Sequence, residues 1–453
     1  MSATRIVELD WRGEGDPEGE LLIRGGRVID PGSALDAERD LLVRSGRIAE
    51  IAEAGSIDAG AETETIDASG LCAVPAFFDP HVHLRTPGQE YKEDIETGTR
   101  AGAAGGYCGI VAMANTSPVV SEPGDIRSLR ARARSDAVVP TGFVATVTRG
   151  MEGRELTEMV GLRETGAVGF SDDGLPITSA RVMRRALQYQ ALCGGNILLH
   201  EEDPELSGDG VMGEGAVSAE LGLSGIPEVS EVAMIARDGA LCRYEEARAH
   251  VQHLSARASV EAVEDAKRGG ARLTAEVTPH HLTLTDEAVR SLDSRFKMNP
   301  PLRTEDDRQA LIDGLRSGAI DCIGTDHAPH ASHEKEVPYE RAPMGVTGLE
   351  TAFAVIYTDL VRPGILELAL VVDRLGAGAA LFDLPQPRIQ PDAEANITLL
   401  DLEAEWVAGA EGWESRSENS CFAGRRLRSR PMLTIIGGTV AYRQRALRLG
   451  AVR

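Results

Sequence analysis

The sequence is poor in lysine and rich in carboxylates. Only four of its 47 basic residues are lysines, so nearly all of its positive charge is carried by arginine. The net charge is -24 at pH 7. Nucleic acids and anionic membranes do not attract such a chain, which argues against a binder of either class. An anionic substrate would gain nothing from this overall field, so a local cation would have to hold it.

The sequence also lacks the signatures of secreted and membrane proteins. Its 6 cysteines are scattered and include no C-x-x-C pair, which argues against a disulfide framework. The N-terminal residues lack the apolar core of a signal peptide, and no run approaches the roughly 18 apolar residues of a membrane span. We therefore expect a cytoplasmic chain with reduced thiols.

The two ends of the chain have the same texture. Residues 1–19 predict an acidic tail, and short alternating runs punctuated by glycine and proline follow up to residue 75. Residues 386–453 contain similar runs, such as "ANITLLDLEAEWVA". Because this pattern is typical of small β-layers, we predict that residues 1–75 and 386–453 form one composite β-sandwich domain.

The middle of the chain, residues 76–385, alternates short β-rich runs with helical patterns, as repeated β/α units do. No G-x-G-x-x-G follows the first strand and no Walker A sequence occurs, so nucleotide-binding α/β folds lose their main support. We therefore predict an α/β fold built on a (β/α)8 TIM barrel. The predicted barrel strands lie in "AVPAFFDPHVH", "GYCGIVAMA", "VPTGFVATVT", "AVGFSDD", "NILLHEED", "AHVQHLSA", "RLTAEVTPHH" and "DCIGTDHAPH".

Polar residues cluster where the predicted barrel strands end, which is where barrel enzymes carry their chemistry. In H-x-H on a strand, residues i and i+2 share a face, so His81 and His83 can reach one metal ion. His200, His253, Asp173 and Asp326 bring the number of candidate ligands to six. Six ligands are more than one tetrahedral zinc ion needs, which favours two divalent ions that share a carboxylate. In chain order, the strand ends carry His81, His83 and Arg85; Asn115; Asp172 and Asp173; His200; His253; His280 and His281; and Asp326 with His330.

A family resemblance rests on a series of motifs between about residues 75 and 355: "DPHVHLRTPGQEYKE", "MANTSPV", "GFSDDG", "LLHEED", "HLSA", "MNPPLR", "GTDHAPH" and "GVTGLET". In this order they resemble the motifs of type I dihydroorotases, which belong to the amidohydrolase superfamily of metal-dependent hydrolases. The resemblance implies reversible hydrolysis of the cyclic amide of (S)-dihydroorotate to N-carbamoyl-L-aspartate in pyrimidine biosynthesis.

The resemblance also implies a binuclear centre of two Zn2+ ions with a bridging hydroxide. One ion would be held by His81, His83 and Asp326, the other by His200 and His253, and Asp173 would bridge them with Asp172 nearby. Similar hydantoinases, allantoinases and dihydropyrimidinases carry a carboxylated lysine at the bridge. This chain has no lysine between Lys92 and Lys267, which excludes a lysine bridge on strand four.

Roles in catalysis and substrate binding follow from the same resemblance. Asp326 would pass the proton of the attacking oxygen to the leaving ring nitrogen, and the alternative is that it is a ligand only. Arg85 would hold the unreacted carboxylate of the substrate, or else form an ion pair with an acid such as Glu93. Further substrate contacts map onto His83, Asn115, Asn299, His330, Met344 and Gly345. Ala114 stands where the family usually has proline, which would loosen Asn115.

Several alternatives stay open at the level of sequence. The chain could be another cyclic amidohydrolase of the dihydropyrimidinase or allantoinase type, or a non-catalytic partner of aspartate transcarbamoylase, although every ligand position is filled. A homodimer and a complex with aspartate transcarbamoylase are both compatible with the resemblance. Segment 327–345 is either a loop that closes over the substrate or a static surface loop. No family motif assigns metal to His280 and His281, so we expect structural roles for them.

Overall fold

A computed structural model describes residues 7–13, 19–58, 60, 63–445 and 447. Most of the predicted acidic tail, residues 1–19, therefore lies outside the described residues. The strands are β1 (Glu20–Asp30), β2 (Leu35–Arg44), β3 (Arg47–Glu53), β4 (Glu64–Asp67), β5 (Cys72–Pro75), β6 (Phe77–Val82), β7 (Tyr107–Ala112), β8 (Thr141–Phe143), β9 (Phe170–Ser171), β10 (Ile197–Leu199), β11 (Met212–Gly213), β12 (Gly225–Ile226), β13 (Arg248–Val251), β14 (Arg272–Val277), β15 (Cys322–Ile323), β16 (Ile397–Val407), β17 (Arg426–Ile436) and β18 (Thr439–Arg443).

Helices lie between the strands of the middle segment. They are α1 (Ile95–Gly105), α2 (Pro123–Asp136), α3 (Met159–Thr165), α4 (Ala180–Cys193), α5 (Pro204–Ser207), α6 (Ala216–Leu221), α7 (Val229–Glu245), α8 (Arg257–Arg268), α9 (Pro279–Thr283), α10 (Glu305–Ser317), α11 (Ser332–Lys335), α12 (Ala352–Ile356) and α13 (Leu368–Gly376). Within the described ranges, none of them is long and apolar enough to cross a membrane.

The barrel is made of parallel strands that meet in one ring. Strands β6, β7 and β8 pair in that order, and β9, β10, β13, β14 and β15 form a second series. Isolated bridges join the two series, from Ala145 to Phe170 on one side and from Val82 to His327 on the other. Every residue of β6 and β7 is buried, because helices cover the outside of a barrel and side chains fill its interior.

The two ends of the chain share one mixed sheet, in the order β18-β17-β16-β5-β1-β2-β3 with β4 beside β1. The junction is the antiparallel pair of β5 with β16, where Pro75 lies opposite Ile397. One apolar cluster joins Ile23 and Ile66 from the first part of the chain to Leu399 from the last part. The sheet therefore needs both ends of the chain. The domain limits at residues 75 and 386 stay predictions.

Candidate active site

The predicted metal ligands converge at the carboxyl ends of the barrel strands. Although they come from five different strands, all are buried, with at most 6% of each residue exposed. Burial of this many ionisable groups is costly unless they are paired or bind metal. The six side chains are those of His81, His83, Asp173, His200, His253 and Asp326.

Asp173 lies at the centre of this cluster. Its Oδ1 atom is 3.7 Å from Nε2 of His81, 3.6 Å from Nδ1 of His200 and 3.8 Å from Nε2 of His253. Its Oδ2 atom is 3.5 Å from Nε2 of His83. These separations are long for hydrogen bonds. A tetrahedral zinc ion with bonds of about 2.0–2.1 Å places its ligand atoms roughly 3.3 Å apart, so the distances suit cations lying between the ligands.

Asp326 lies beside the strand-one histidines. Its Oδ1 atom is 2.9 Å from Nε2 of His83 and 3.6 Å from Nε2 of His81. Burial raises the pKa of Asp326, but the charge of His81 and the hydrogen bond from His83 outweigh it and lower the pKa to about 2. Asp326 is therefore ionised at neutral pH, which both a metal ligand and a proton acceptor require.

The strand-five and strand-six histidines face each other. Nδ1 of His200 lies 2.9 Å from Nε2 of His253, with the ring planes 85° apart. Two imidazole lone pairs at this distance repel each other unless a proton or a cation lies between them. On its outer side, Nε2 of His200 lies 3.4 Å from Nδ2 of Asn299 and 3.6 Å from Oε2 of Glu202. This geometry fits two ligands of one ion.

Glu276 contacts the cluster on the side of His81 that faces away from Asp173, and it is not among the residues predicted from the sequence. Its Oε1 atom lies 2.7 Å from Nδ1 of His81, and its Oε2 atom lies 3.1 Å from Nε2 of His250. The carboxylate orients His81 so that Nε2 points at the ligand cluster, as acids behind metal-binding histidines commonly do. The available signal was an acid inside "RLTAEVTPHH", on a strand that is otherwise apolar over its last residues.

The two acids of "SDDG" have different surroundings. Asp172 accepts hydrogen bonds from the backbone N–H groups of Val147 and Thr148 at 2.8 and 3.1 Å, and from the hydroxyl of Thr148. It therefore braces the loop after β8, whereas Asp173 faces the histidines. Burial raises the pKa of Asp172 to about 6, against the hydrogen bonds of Thr148 and Val147.

Asn115 is well held despite the alanine before it. Its Oδ1 atom lies 2.9 Å from Nδ1 of His83, and its Nδ2 atom donates to Oδ2 of Asp173 at 3.1 Å. Both contacts form although alanine precedes Asn115, and whether Ala114 loosens this residue stays a prediction. Since both ends of the amide contact predicted metal ligands, Asn115 orients the cluster as well as lining the cavity.

Arg85 lies just outside the strand that carries the two histidines. Its φ angle is 54°, so strand alternation ends before it. Its Nε atom donates to the carbonyl of Pro329 at 3.1 Å. Among the described residues, no carboxylate lies within ion-pair distance of Arg85. Glu93, its proposed alternative partner, instead accepts from the backbone N–H of Arg416 at 3.1 Å and lies 3.3 Å from Nε2 of His327.

The remaining predicted residues line one cavity of about 250 Å³ above the ligands. Nε2 of His330 donates to the carbonyl of Met344 at 2.9 Å. Burial, together with the charge of Arg85, lowers the pKa of His330 to about 3. The Oδ1 atom of Asn299 is buried without a hydrogen-bond partner in the described part of the chain. The lining residues are His83, Arg85, Asn115, Asp173, Gly174, His200, His253, Asn299, Asp326, Ala328, His330, Met344 and Gly345.

Three of the four lysines hold segment 327–345. Lys335 donates to three backbone carbonyls at 2.8 to 3.2 Å, and Lys297 donates to two at 2.9 and 3.0 Å. Lys92 forms an ion pair with Glu334 at 3.0 Å. The segment is thus anchored along its length, and whether it moves over a substrate stays a prediction.

His280 and His281 lie in helix α9 after strand seven, and both are buried. His281 bridges two neighbours, with Nδ1 2.8 Å from the hydroxyl of Thr278 and Nε2 3.0 Å from the carbonyl of Pro300. Burial lowers the pKa of His280 to about 4. The contacts of His281 fit the structural role expected for it, whereas Nε2 of His280 is buried without a hydrogen-bond partner among the described residues.

Comparison with known proteins places this chain in a family. A family model described as "Dihydro-orotase-like" matches residues 70–259. A protein named "Dihydroorotase" from Pelotomaculum thermopropionicum is 44% identical over 432 residues, which cover 95% of this chain and 100% of the relative. Another "Dihydroorotase", from Geobacter metallireducens, is 43% identical over 94% of this chain and 100% of the relative. The chain belongs to the dihydroorotase family.

Solved structures confirm the predicted fold. The L-hydantoinase (dihydropyrimidinase) from Arthrobacter aurescens superimposes with a TM-score of 0.84 at 25% sequence identity, covering 94% of this chain and 97% of that one. The prediction of a TIM barrel with a composite β-sandwich is therefore confirmed, as is the resemblance to dihydroorotases within the amidohydrolase superfamily.

Proposed function

We propose that this chain is a dihydroorotase, which interconverts (S)-dihydroorotate and N-carbamoyl-L-aspartate by opening and closing the cyclic amide. One observation carries the proposal. Arg85 is 9% exposed and has no ion-pair partner in the described ranges, and it lines the same cavity as a convergent set of histidines and aspartates. A cyclic amide that bears a carboxylate needs both features, because one reacts with the amide and the other holds the acid.

The donor set fits two zinc ions. His81, His83 and Asp326 form one group of convergent ligand atoms, and His81, Asp173 and His253 form another. We assign His81, His83 and Asp326 to one ion and His200 with His253 to the second, with Asp173 shared between them. No carboxylated lysine takes part, because the chain has no lysine between Lys92 and Lys267.

Two such ions, when bound, polarise an amide carbonyl and lower the pKa of water from about 16 towards about 7. Asp326 handles the proton of this reaction. Its carboxylate is ionised at neutral pH and borders the strand-one histidines, so it accepts the proton of the attacking water at its free oxygen. It then donates that proton to the ring nitrogen as the amide bond breaks.

The substrate is oriented by other groups that line the cavity. Because Nε of Arg85 is used by Pro329, the two terminal nitrogens form a fork for the substrate carboxylate. The unpartnered Oδ1 atom of Asn299 accepts a ring N–H group. Gly345 has a φ of 130°, and a Cβ atom there would lie 3.1 Å from Nε2 of His330, so glycine keeps this wall close.

The rival activities differ in what they require. A hydantoinase-type site needs a lysine bridge, which this sequence cannot supply on strand four, and its substrates need no carboxylate-binding arginine. Turnover of dihydroorotate should therefore exceed turnover of hydantoin and allantoin. A non-catalytic partner of aspartate transcarbamoylase would hold less than one equivalent of metal. Association with aspartate transcarbamoylase, a homodimer and a cytoplasmic location stay predictions.

Metal analysis of Asp173→Ala, with a dihydroorotate assay, tests the proposal. The wild-type protein should bind two equivalents of zinc and hydrolyse dihydroorotate, and the variant should lose at least one equivalent and the activity. Asp209→Ala, at an exposed aspartate, is the matched control and should behave as wild type. Retained metal and activity in Asp173→Ala would refute the bridging assignment, and an inactive wild type would refute the function.

A further inference from the structure

A loop of the composite β-domain reaches the mouth of the barrel. It runs over residues 408–425, between strands β16 and β17, and Asn419 lies in it with 5% of its surface exposed. The Oδ1 atom of Asn419 accepts a hydrogen bond from the backbone N–H of His330 at 3.0 Å. Its Nδ2 atom donates to the carbonyls of Ala328 and Gly345, both at 3.1 Å. The side-chain amide thus contacts three backbone groups.

These three backbone groups belong to the two sides of one wall of the cavity. Ala328 and His330 follow barrel strand eight, and Gly345 lies at the far end of segment 327–345. The imidazole of His330 also spans the two sides, because its Nε2 atom donates to the carbonyl of Met344. Asn419 therefore links the backbone at His330 to the backbone at Gly345, which is next to Met344, the partner of the His330 imidazole.

The same loop also holds the opposite wall. The hydroxyl of Ser417 donates to the carbonyl of Lys92 at 2.6 Å, and the backbone N–H of Arg416 donates to Oε1 of Glu93 at 3.1 Å. Lys92 and Glu93 lie at the end of the segment that begins with Arg85. Residues 416–419 thus contact both segments that would surround the substrate carboxylate.

We propose that Asn419 is a positioning residue that sets the distance between His330 and the backbone at Gly345, and so shapes the carboxylate side of the substrate site. Asn419 does not line the cavity itself. The inference rests on the proposed function, because it assumes that this wall binds the substrate carboxylate. It assigns the composite β-domain a part in substrate binding, in addition to its packing against the barrel.

The chemistry of the side chain explains why asparagine is needed here. An amide supplies one acceptor and two N–H donors from one planar group. Aspartate could still accept from His330 but would place a carboxylate against the carbonyls of Ala328 and Gly345. Alanine would leave all three buried backbone groups without this partner, which lets the wall shift.

The test compares full-length Asn419→Ala and Asn419→Asp with wild type in a dihydroorotate assay and by zinc analysis. Because a shift of about 1 Å at a binding group can reduce rates by 100-fold, we expect KM for dihydroorotate to rise roughly 10- to 100-fold in both variants. We expect kcat to change less than KM, and zinc content to match wild type, since Asn419 contacts no predicted ligand. Ser420→Ala is the matched control, because among the described residues the hydroxyl of Ser420 accepts a hydrogen bond only from the backbone N–H of Phe422, which lies in the same loop.

The outcomes separate the two proposals. If wild type does not hydrolyse dihydroorotate, the proposed function fails. If wild type is active but KM stays within twofold in the asparagine variants, the positioning role is overturned. The positioning role would also be overturned if the variants lost zinc, or if kcat fell 10- to 100-fold while KM stayed unchanged. If the alanine variant does not fold, the aspartate variant decides, and failure of both to fold would assign Asn419 to stability alone and reject the inference.

Discussion

Arg85→Ala should weaken catalysis by removing the cation that holds the substrate carboxylate. The guanidinium uses only its Nε atom within the described protein, so two terminal nitrogens remain for the ligand. Each charge-assisted hydrogen bond contributes roughly 1.5–3 kcal/mol, so two contribute about 3–6 kcal/mol. Since 1.4 kcal/mol corresponds to a factor of ten, kcat/KM for dihydroorotate should fall by roughly 100- to 10,000-fold.

The assay follows loss of dihydroorotate absorbance over a range of concentrations, alongside zinc content. Arg85→Lys should lie between wild type and alanine, because it keeps the charge but not the planar fork. The control is Arg268→Ala, an exposed arginine on α8 whose one ion pair within the described part of the chain is with Asp265, three residues away. A fall in kcat/KM of less than fivefold in Arg85→Ala, or an equal fall in the control, would refute the reasoning. Loss of zinc would show instead that Arg85 supports the metal cluster.

Three further predictions concern metal affinity, pH and backbone strain. Glu276→Gln should lower zinc affinity by about 10- to 100-fold in a chelator competition, while exposed Glu287→Gln should not, and equal affinities would contradict the orienting role. The pKa of His280 is about 4 in the folded protein, against an ordinary value of 6.5. Between pH 6.5 and pH 4 the unfolded chain therefore binds more protons than the folded protein, and the free energy of unfolding falls as the pH drops through this window. At about 1.4 kcal/mol per pKa unit, the loss of stability over this window amounts to roughly 3 kcal/mol. In urea titrations of metal-free protein, His280→Gln should make the free energy of unfolding depend less on pH than it does in wild type. Gly88→Ala should reduce stability more than Gly55→Ala. Both glycines have a positive φ, but a Cβ atom at Gly88 would lie 1.7 Å from a carbonyl oxygen, whereas a Cβ atom at Gly55 would meet no atom within 4 Å. Equal urea midpoints of unfolding for the two variants would contradict this prediction.

Local patterns in the chain predicted the parts of the site that depend on neighbouring residues. The spacing of His81 and His83 follows from strand periodicity, and their rings are 5.3 Å apart. The barrel followed from alternating runs, since a buried parallel strand is recognisable by its own composition. The motif series also separated the two acids of "SDDG": Asp173 faces the histidines and Asp172 does not, which is the arrangement that the proposed bridging role requires.

The sequence by itself therefore determined the residue types that gather at the site, the lack of any lysine between Lys92 and Lys267, and the order of strands and helices. Only the tertiary structure decided which distant groups support them. Glu276 lies 195 residues from His81, and Asn419 lies 89 residues from His330. No short-range pattern encodes such pairs, because each contact depends on how barrel strands and the composite sheet pack together. Arg85 shows the same limit, since its positive φ takes it out of the strand pattern and the position of Pro329 directs its guanidinium.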